Sequence, residues 1–140
     1  YNPSDVRKKI SRIEVIKITP QMYAGENVNN LIQDVWQSFE CPMKGEGCSI
    51  TFTDESFESS ARDASYYVRA IQEPSATINA NNLRCTYNES GECEKVNICH
   101  GDFKTPQEDD CLSTSEERAW SSPIFVNYDA KSLAVAALIK

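Results

Sequence analysis

The chain has 140 residues, 40% hydrophobic and 25% charged, which is enough for one domain with a real core and short for two. Its formal charge of −7, with the basic residues scattered rather than striped, repels polyanions and argues against a nucleic-acid partner. No stretch approaches the roughly 18–20 apolar residues that span a bilayer, and the opening "YNPSDVRKK" has no apolar core of the signal-peptide kind.

The first element is "RIEVIKIT", residues 12–19. It is β-branched and changes parity between Val15 and Ile16, which predicts a strand that is bulged or buried on both faces. Val28, Leu31, Ile32, Val35, Trp36 and Phe39 follow at helical spacing. That apolar stripe, with Asn27 as N-cap and Pro42 beyond its end, predicts the one helix of the chain. "CSITFTD" then alternates, with Ile50 and Phe52 on one side and Ser49, Thr51 and Thr53 on the other, as a strand does. "SYYVRAIQ" sets Tyr66, Val68 and Ala70 against Tyr67 and Arg69.

Between that strand and the last one lies a long polar segment. Within it, "RCTYNESGECEKV" predicts a small hairpin turning at Glu89–Ser90–Gly91. The final strand is "AWSSPIFVNY", which places Trp120, Ile124, Val126 and Tyr128 on one face. Pro123 has no N–H to give a ladder, so this strand belongs at an edge or is bulged there. Antiparallel pairing of "SYYVRAIQ" with "AWSSPIFV" would bury Tyr66, Val68, Trp120, Ile124 and Val126 together. Loss of the Trp120 side chain would then cost about 3–5 kcal/mol. The tail "KSLAVAALIK" is apolar and too short to span a membrane.

These elements predict a mainly β chain, an immunoglobulin- or fibronectin-like sandwich with one short helix and a disulfide-stapled insertion. The organisation expected is a single β-rich domain over 1–129, a cysteine-rich insertion at 74–118 and an apolar tail at 130–140.

Cys41, Cys48, Cys85, Cys93, Cys99 and Cys111 are separated by gaps too long for zinc knuckles, and no C-x-x-C pair exists. An even number in polar segments reads as disulfides formed in an oxidising compartment, paired in sequence order: 41–48, 85–93, 99–111. The chain is therefore expected to be periplasmic or secreted. His100 follows Cys99 without the spacing for haem attachment and reads as a solvated loop residue. Asp102, Asp109 and Asp110 are the candidate calcium ligands, although "TPQEDDC" lacks the EF-hand spacing.

No nucleophile elbow, phosphate-cradling glycine loop or histidine cluster is present, and acids as numerous as these form close pairs by chance. No catalytic residue is assigned, and no cofactor is expected in this chain.

From Ser11 to Asn127 the sequence resembles the C-terminal end of a family of exported bacterial proteins. The blocks that carry the resemblance are "RIEVIKITPQ", "DVWQSFECP", "RDASYYVRAIQEP" and "ICHGDFKTPQEDDCLSTSEERAWSSPIFV". The larger N-terminal part of those proteins resembles the PHP (polymerase and histidinol phosphatase) metal-dependent phosphoesterases. The resemblance implies a parent whose His, Asp and Glu ligands hold divalent metal outside this chain. It also implies that the partner of this chain is the N-terminal catalytic part of the same protein, which the chain braces or covers. The rival reading is an autonomous secreted module that holds carbohydrate or protein on Trp36, Tyr66, Tyr67 or Trp120; a small secreted inhibitor is a third.

Overall fold

The computed structural model describes residues 7–42, 44, 47–104 and 106–129. The apolar tail expected at 130–140 lies outside them. The described strands make the chain mainly β, in antiparallel ladders. The chain divides into two compact units, one made of the residues up to Ile71 together with those from Arg118 onward, the other Gln72–Glu117.

The first unit is built around β1 (Ile10–Ile18), whose β-branched residues suit an extended backbone. Val15 and Ile16 are both fully buried, although adjacent residues of a strand point to opposite faces, so β1 is covered on both sides. Its register with β2 (Ile32–Glu40) slips between Val15 and Lys17, the irregularity that the change of parity announces. The sheet runs β2-β1-β3-β8, where β3 is Ala64–Gln72 and β8 is Arg118–Trp120, and β9 (Ile124–Val126) also pairs with β3.

The helix expected over Val28–Phe39 is replaced. Val28–Asn30 form a single 3-10 turn capped by the Asn27 side chain, and the rest of the stripe is β2. Ile32, Val35, Trp36 and Phe39 are β-branched or aromatic, so an open β1 edge outbids a weak helix preference. The helices present lie elsewhere and are short: α1 (Phe57–Ser60) and α2 (Ala80–Arg84).

"CSITFTD" keeps its alternation without becoming a strand. Ile50 and Phe52 are half-buried and Ser49, Thr51 and Thr53 exposed, but no ladder forms there. Ile50 and Phe52 pack on a core of Val15, Ala64 and Tyr66, beside Trp36, Phe39, Phe57, Val68 and Val126. Trp36, Phe52 and Tyr66 meet with ring centroids 5.7–6.0 Å apart, within the range where aromatic pairs attract.

"SYYVRAIQ" and "AWSSPIFV" do pair antiparallel, as β3 with β8 and β9. Trp120 sits opposite Arg69, and Ile124 opposite Tyr66. Three residues separate the two positions on β3 and four separate them on the edge strand, so one extra residue is accommodated between Trp120 and Ile124. Ser121 marks the spot: its N–H donates to the Val68 carbonyl at 3.0 Å, and its Oγ accepts from the Val68 N–H at 3.1 Å. Pro123, which has no N–H, falls in the break.

A one-residue slip moves everything beyond it to the other face. Tyr66, Val68 and Val126 lie in the core, but Trp120 shares the opposite face with Arg69 and is 62% exposed. Ile124 has the core-side parity yet is also exposed. The expectation that Trp120 and Ile124 are buried is therefore corrected.

The second unit pairs β4 (Ser75–Ile78) with β7 (Leu112–Ser115), and carries the hairpin of β5 (Thr86–Tyr87) and β6 (Cys93–Lys95). Asn88 closes the hairpin turn by accepting from the N–H groups of Ser90 and Glu92. Positive φ at Asn79, Asn81 and Asn82 continues through Leu83 and Arg84. Asn tolerates that left-handed conformation, whereas Leu and Arg adopt it at a cost. With so little apolar interior, the unit relies on the Cys85–Cys93 and Cys99–Cys111 disulfides; Cys41–Cys48 lies in the first unit.

Candidate functional site

Two polar constellations of the first unit occupy opposite faces of the same sheet. On the core face, Lys17 of β1 reaches Asp54 at 2.5 Å, with side-chain exposures of only 4% and 8%. Asp54 Oδ2 also accepts from the Tyr66 hydroxyl at 2.5 Å, and its Oδ1 from the backbone N–H and hydroxyl of Ser56 at 3.0 and 2.6 Å. The Lys17 ammonium lies 5.6 Å from the centre of the Trp36 ring, a cation–π contact, and donates to Ser56 Oγ.

Burial pushes the Asp54 carboxyl up, but hydrogen bonds from Lys17, Ser56 and Tyr66 outweigh it and hold the group well below the usual carboxylate range. The same burial, with the charge of Asp54 beside it, pushes the Tyr66 phenol well above its ordinary value. Every partner stabilises the ionised carboxylate, so the group is poised to stay charged rather than to exchange protons. This is a tie between β1, β3 and the unpaired segment that carries Asp54.

On the opposite face, Arg69 donates to Glu14 at 2.9–3.0 Å and to Asp34 at 2.5–3.3 Å. Arg12 closes on the other oxygen of Glu14 at 2.8 Å. Cross-strand partners share a face, so Trp120 (opposite Arg69) and Phe125 (opposite Ser65) join this side. Tyr67 lies between Ser65 and Arg69 at the same parity. Trp120 is 62% and Phe125 75% exposed, and Tyr67 is half-buried. The arrangement is an aromatic surface around a guanidinium held by two carboxylates.

Trp36 and Tyr66, two of the four aromatics expected to hold a ligand, are instead core residues, while on the opposite face Trp120 is exposed and Tyr67 half-buried. Phe125, Glu14 and Asp34 were missing from the sequence reading. Only the alternation of "PIFV" pointed to Phe125, and nothing in the sequence pointed to the other two.

In the second unit, Arg84 donates to Asp109 and, at 3.1 Å, to Cys99 Sγ. Arg84, followed by the Cys111 N–H, holds the Asp109 carboxyl below its ordinary range. Asp110 accepts from the Leu112 N–H, and Asp102 is exposed in the turn after His100. His100 is exposed and pairs with Phe103 through the backbone. Asp109 and Asp110 are thus engaged separately, and Asp102 is exposed. Among the described residues, Cys99, Asp109 and Cys111 approach one another as metal ligands do. Both sulfurs, however, belong to one disulfide and the carboxylate is paired with Arg84, so this donor set does not fit a metal.

No family model, curated protein or solved structure matches the chain.

Proposed function

We propose that this chain is a non-catalytic β-domain of an exported protein, the C-terminal accessory part of a PHP-like metal-dependent hydrolase that it braces or covers. The observation that carries the reading is how the buried and half-buried ionisable groups are used. Lys17 with Asp54, Arg69 with Glu14 and Arg84 with Asp109 are each closed on one another, as charges are when they hold a fold together. A general acid or base instead needs a pKa near working pH and a face open to substrate.

Three disulfides are compatible with an oxidising, extracellular or periplasmic compartment. Burial of β1 on both faces supports a layered arrangement of the immunoglobulin or fibronectin kind. The parent's hydrolase character and its divalent metal rest on the sequence blocks quoted above.

The test is phosphodiester hydrolysis by the isolated chain with Mn2+, Mg2+ or Zn2+, beside the parent. The parent should turn over and the chain should not exceed metal in buffer. Metal-dependent turnover by the chain that is lost on His100→Ala would overturn the reading. The second reading, a binding module for carbohydrate or protein, is favoured by one observation: Trp120 and Phe125 are exposed on one sheet face, which they share with the half-buried Tyr67.

A further inference from the structure

The second unit holds its least favourable backbone against one disulfide. Asn81, Asn82, Leu83 and Arg84 have φ between 50° and 59°, and the half-cystine Cys111 has φ 65°. Asn tolerates this left-handed region, whereas Leu, Arg and Cys enter it at a cost. Both ends of the turn are pinned by Cys99 and Cys111. Asn79 Nδ2 donates to the Cys99 carbonyl at 2.7 Å, and the Cys99 N–H donates back to Asn79 Oδ1 at 2.8 Å. The Asn79 N–H donates to the Cys111 carbonyl at 3.0 Å. At the other end, Arg84 donates to Cys99 Sγ at 3.1 Å and to Asp109, which accepts from the Cys111 N–H. Asn97, two residues before Cys99, donates to the Leu83 and Arg84 carbonyls at 3.2 and 2.9 Å.

We propose that Cys99–Cys111 is a thiol-responsive bond: a dithiol reductant opens it ahead of Cys41–Cys48 and Cys85–Cys93, and its opening releases Asn79–Arg84 from the left-handed conformation. The reasoning is linkage. Strain that exists only while the bond is closed favours the open form by the same amount, so it makes the bond easier to reduce. Among the described residues Cys111 is the one half-cystine with positive φ, and Cys85, next after the turn, is already extended. Cys99 is half-buried and Cys111 buried, so attack falls on Cys99. One sulfur of the dithiol bonds to Cys99 Sγ, the bond to Cys111 breaks, and its electron pair goes to Cys111. The second sulfur then attacks the first, the mixed disulfide breaks, and the dithiol leaves as a cyclic disulfide. That electron pair goes to Cys99, beside the Arg84 guanidinium, which stabilises a thiolate. In all, two electrons and the two protons of the dithiol pass to the chain.

This goes beyond the accessory-domain reading and is tested apart from it, because it is read without turnover. The experiment equilibrates the disulfide-intact chain in dithiothreitol buffers of graded reduced-to-oxidised ratio, alkylates the freed thiols and maps them by peptide mass. Cys99–Cys111 should be half-open at a ratio about tenfold lower than either other bond. Hydrogen exchange at Asn82–Cys85 should quicken at that same ratio. Leu83→Gly keeps every pin but accepts positive φ without strain, so it should raise the ratio needed to open Cys99–Cys111 about fivefold. Leu83 is 44% exposed, so the variant keeps the packing of the unit. Another bond opening first, opening without quickened exchange in the turn, or a ratio that Leu83→Gly leaves in place would each overturn the proposal.

Discussion

Replacing Asp54 with leucine isolates the tie on the core face. The substitution leaves the Lys17 ammonium 4% exposed beneath Trp36, without the carboxylate 2.5 Å away. It also leaves the Tyr66 hydroxyl and the Ser56 N–H without their acceptor. Removing one partner of a buried pair costs about 3–5 kcal/mol, because the remaining charge is desolvated and uncompensated. That is a large share of a stability of about 5–15 kcal/mol. Removing both charges, as Lys17→Met with Asp54→Leu, replaces the pair with apolar volume and should restore most of the loss. The assay is urea denaturation of the disulfide-intact wild type, both single variants and the double, read as a double-mutant cycle. A loss below about 1 kcal/mol in Asp54→Leu would class the pair with solvent-screened surface bridges and refute the reasoning. A double variant no better than the singles would show that the hydrogen bonds, not the charges, hold the segment.

The same carboxylate sets an acid limit. Its folded pKa is depressed, so its contribution is present above the unfolded value of about 3.9 and is lost as pH falls towards the folded one. Melting temperature should fall steeply below about pH 4 in the wild type and more shallowly in the double variant. Trp120→Ala and His100→Ala should each change stability by less than about 0.5 kcal/mol in denaturant melts, both side chains being exposed. Tyr66→Phe, which removes a hydrogen bond to a charged group but keeps the ring, should cost about 1.5–3 kcal/mol in the same assay. Non-reducing peptide mapping should recover Cys41–Cys48, Cys85–Cys93 and Cys99–Cys111, and any other pairing would contradict the fold that brings these sulfurs together.

The sequence by itself determined whatever depends on neighbours along the chain. β1 was legible because its β-branched run and parity change are local facts. The hairpin at Asn88–Gly91 was legible because a polar, glycine-containing turn between two cysteines closes on itself. The pairing of β3 with β8 and β9 was legible because two strong strands flank an insertion that can leave the sheet. Tertiary structure decided the rest. Ile32–Glu40 carries a stripe that fits a helix as well as a strand, and the ladder offered by β1 settled the choice. Ile50 and Phe52 alternate like a strand but found no partner, since alternation specifies which side is buried and not who supplies the hydrogen bonds. The candidate face turned on a single residue. The extra position between Trp120 and Ile124 carries Trp120 from the core to the opposite side with Arg69, and alternation read along one strand takes no account of where its partner allows a slip.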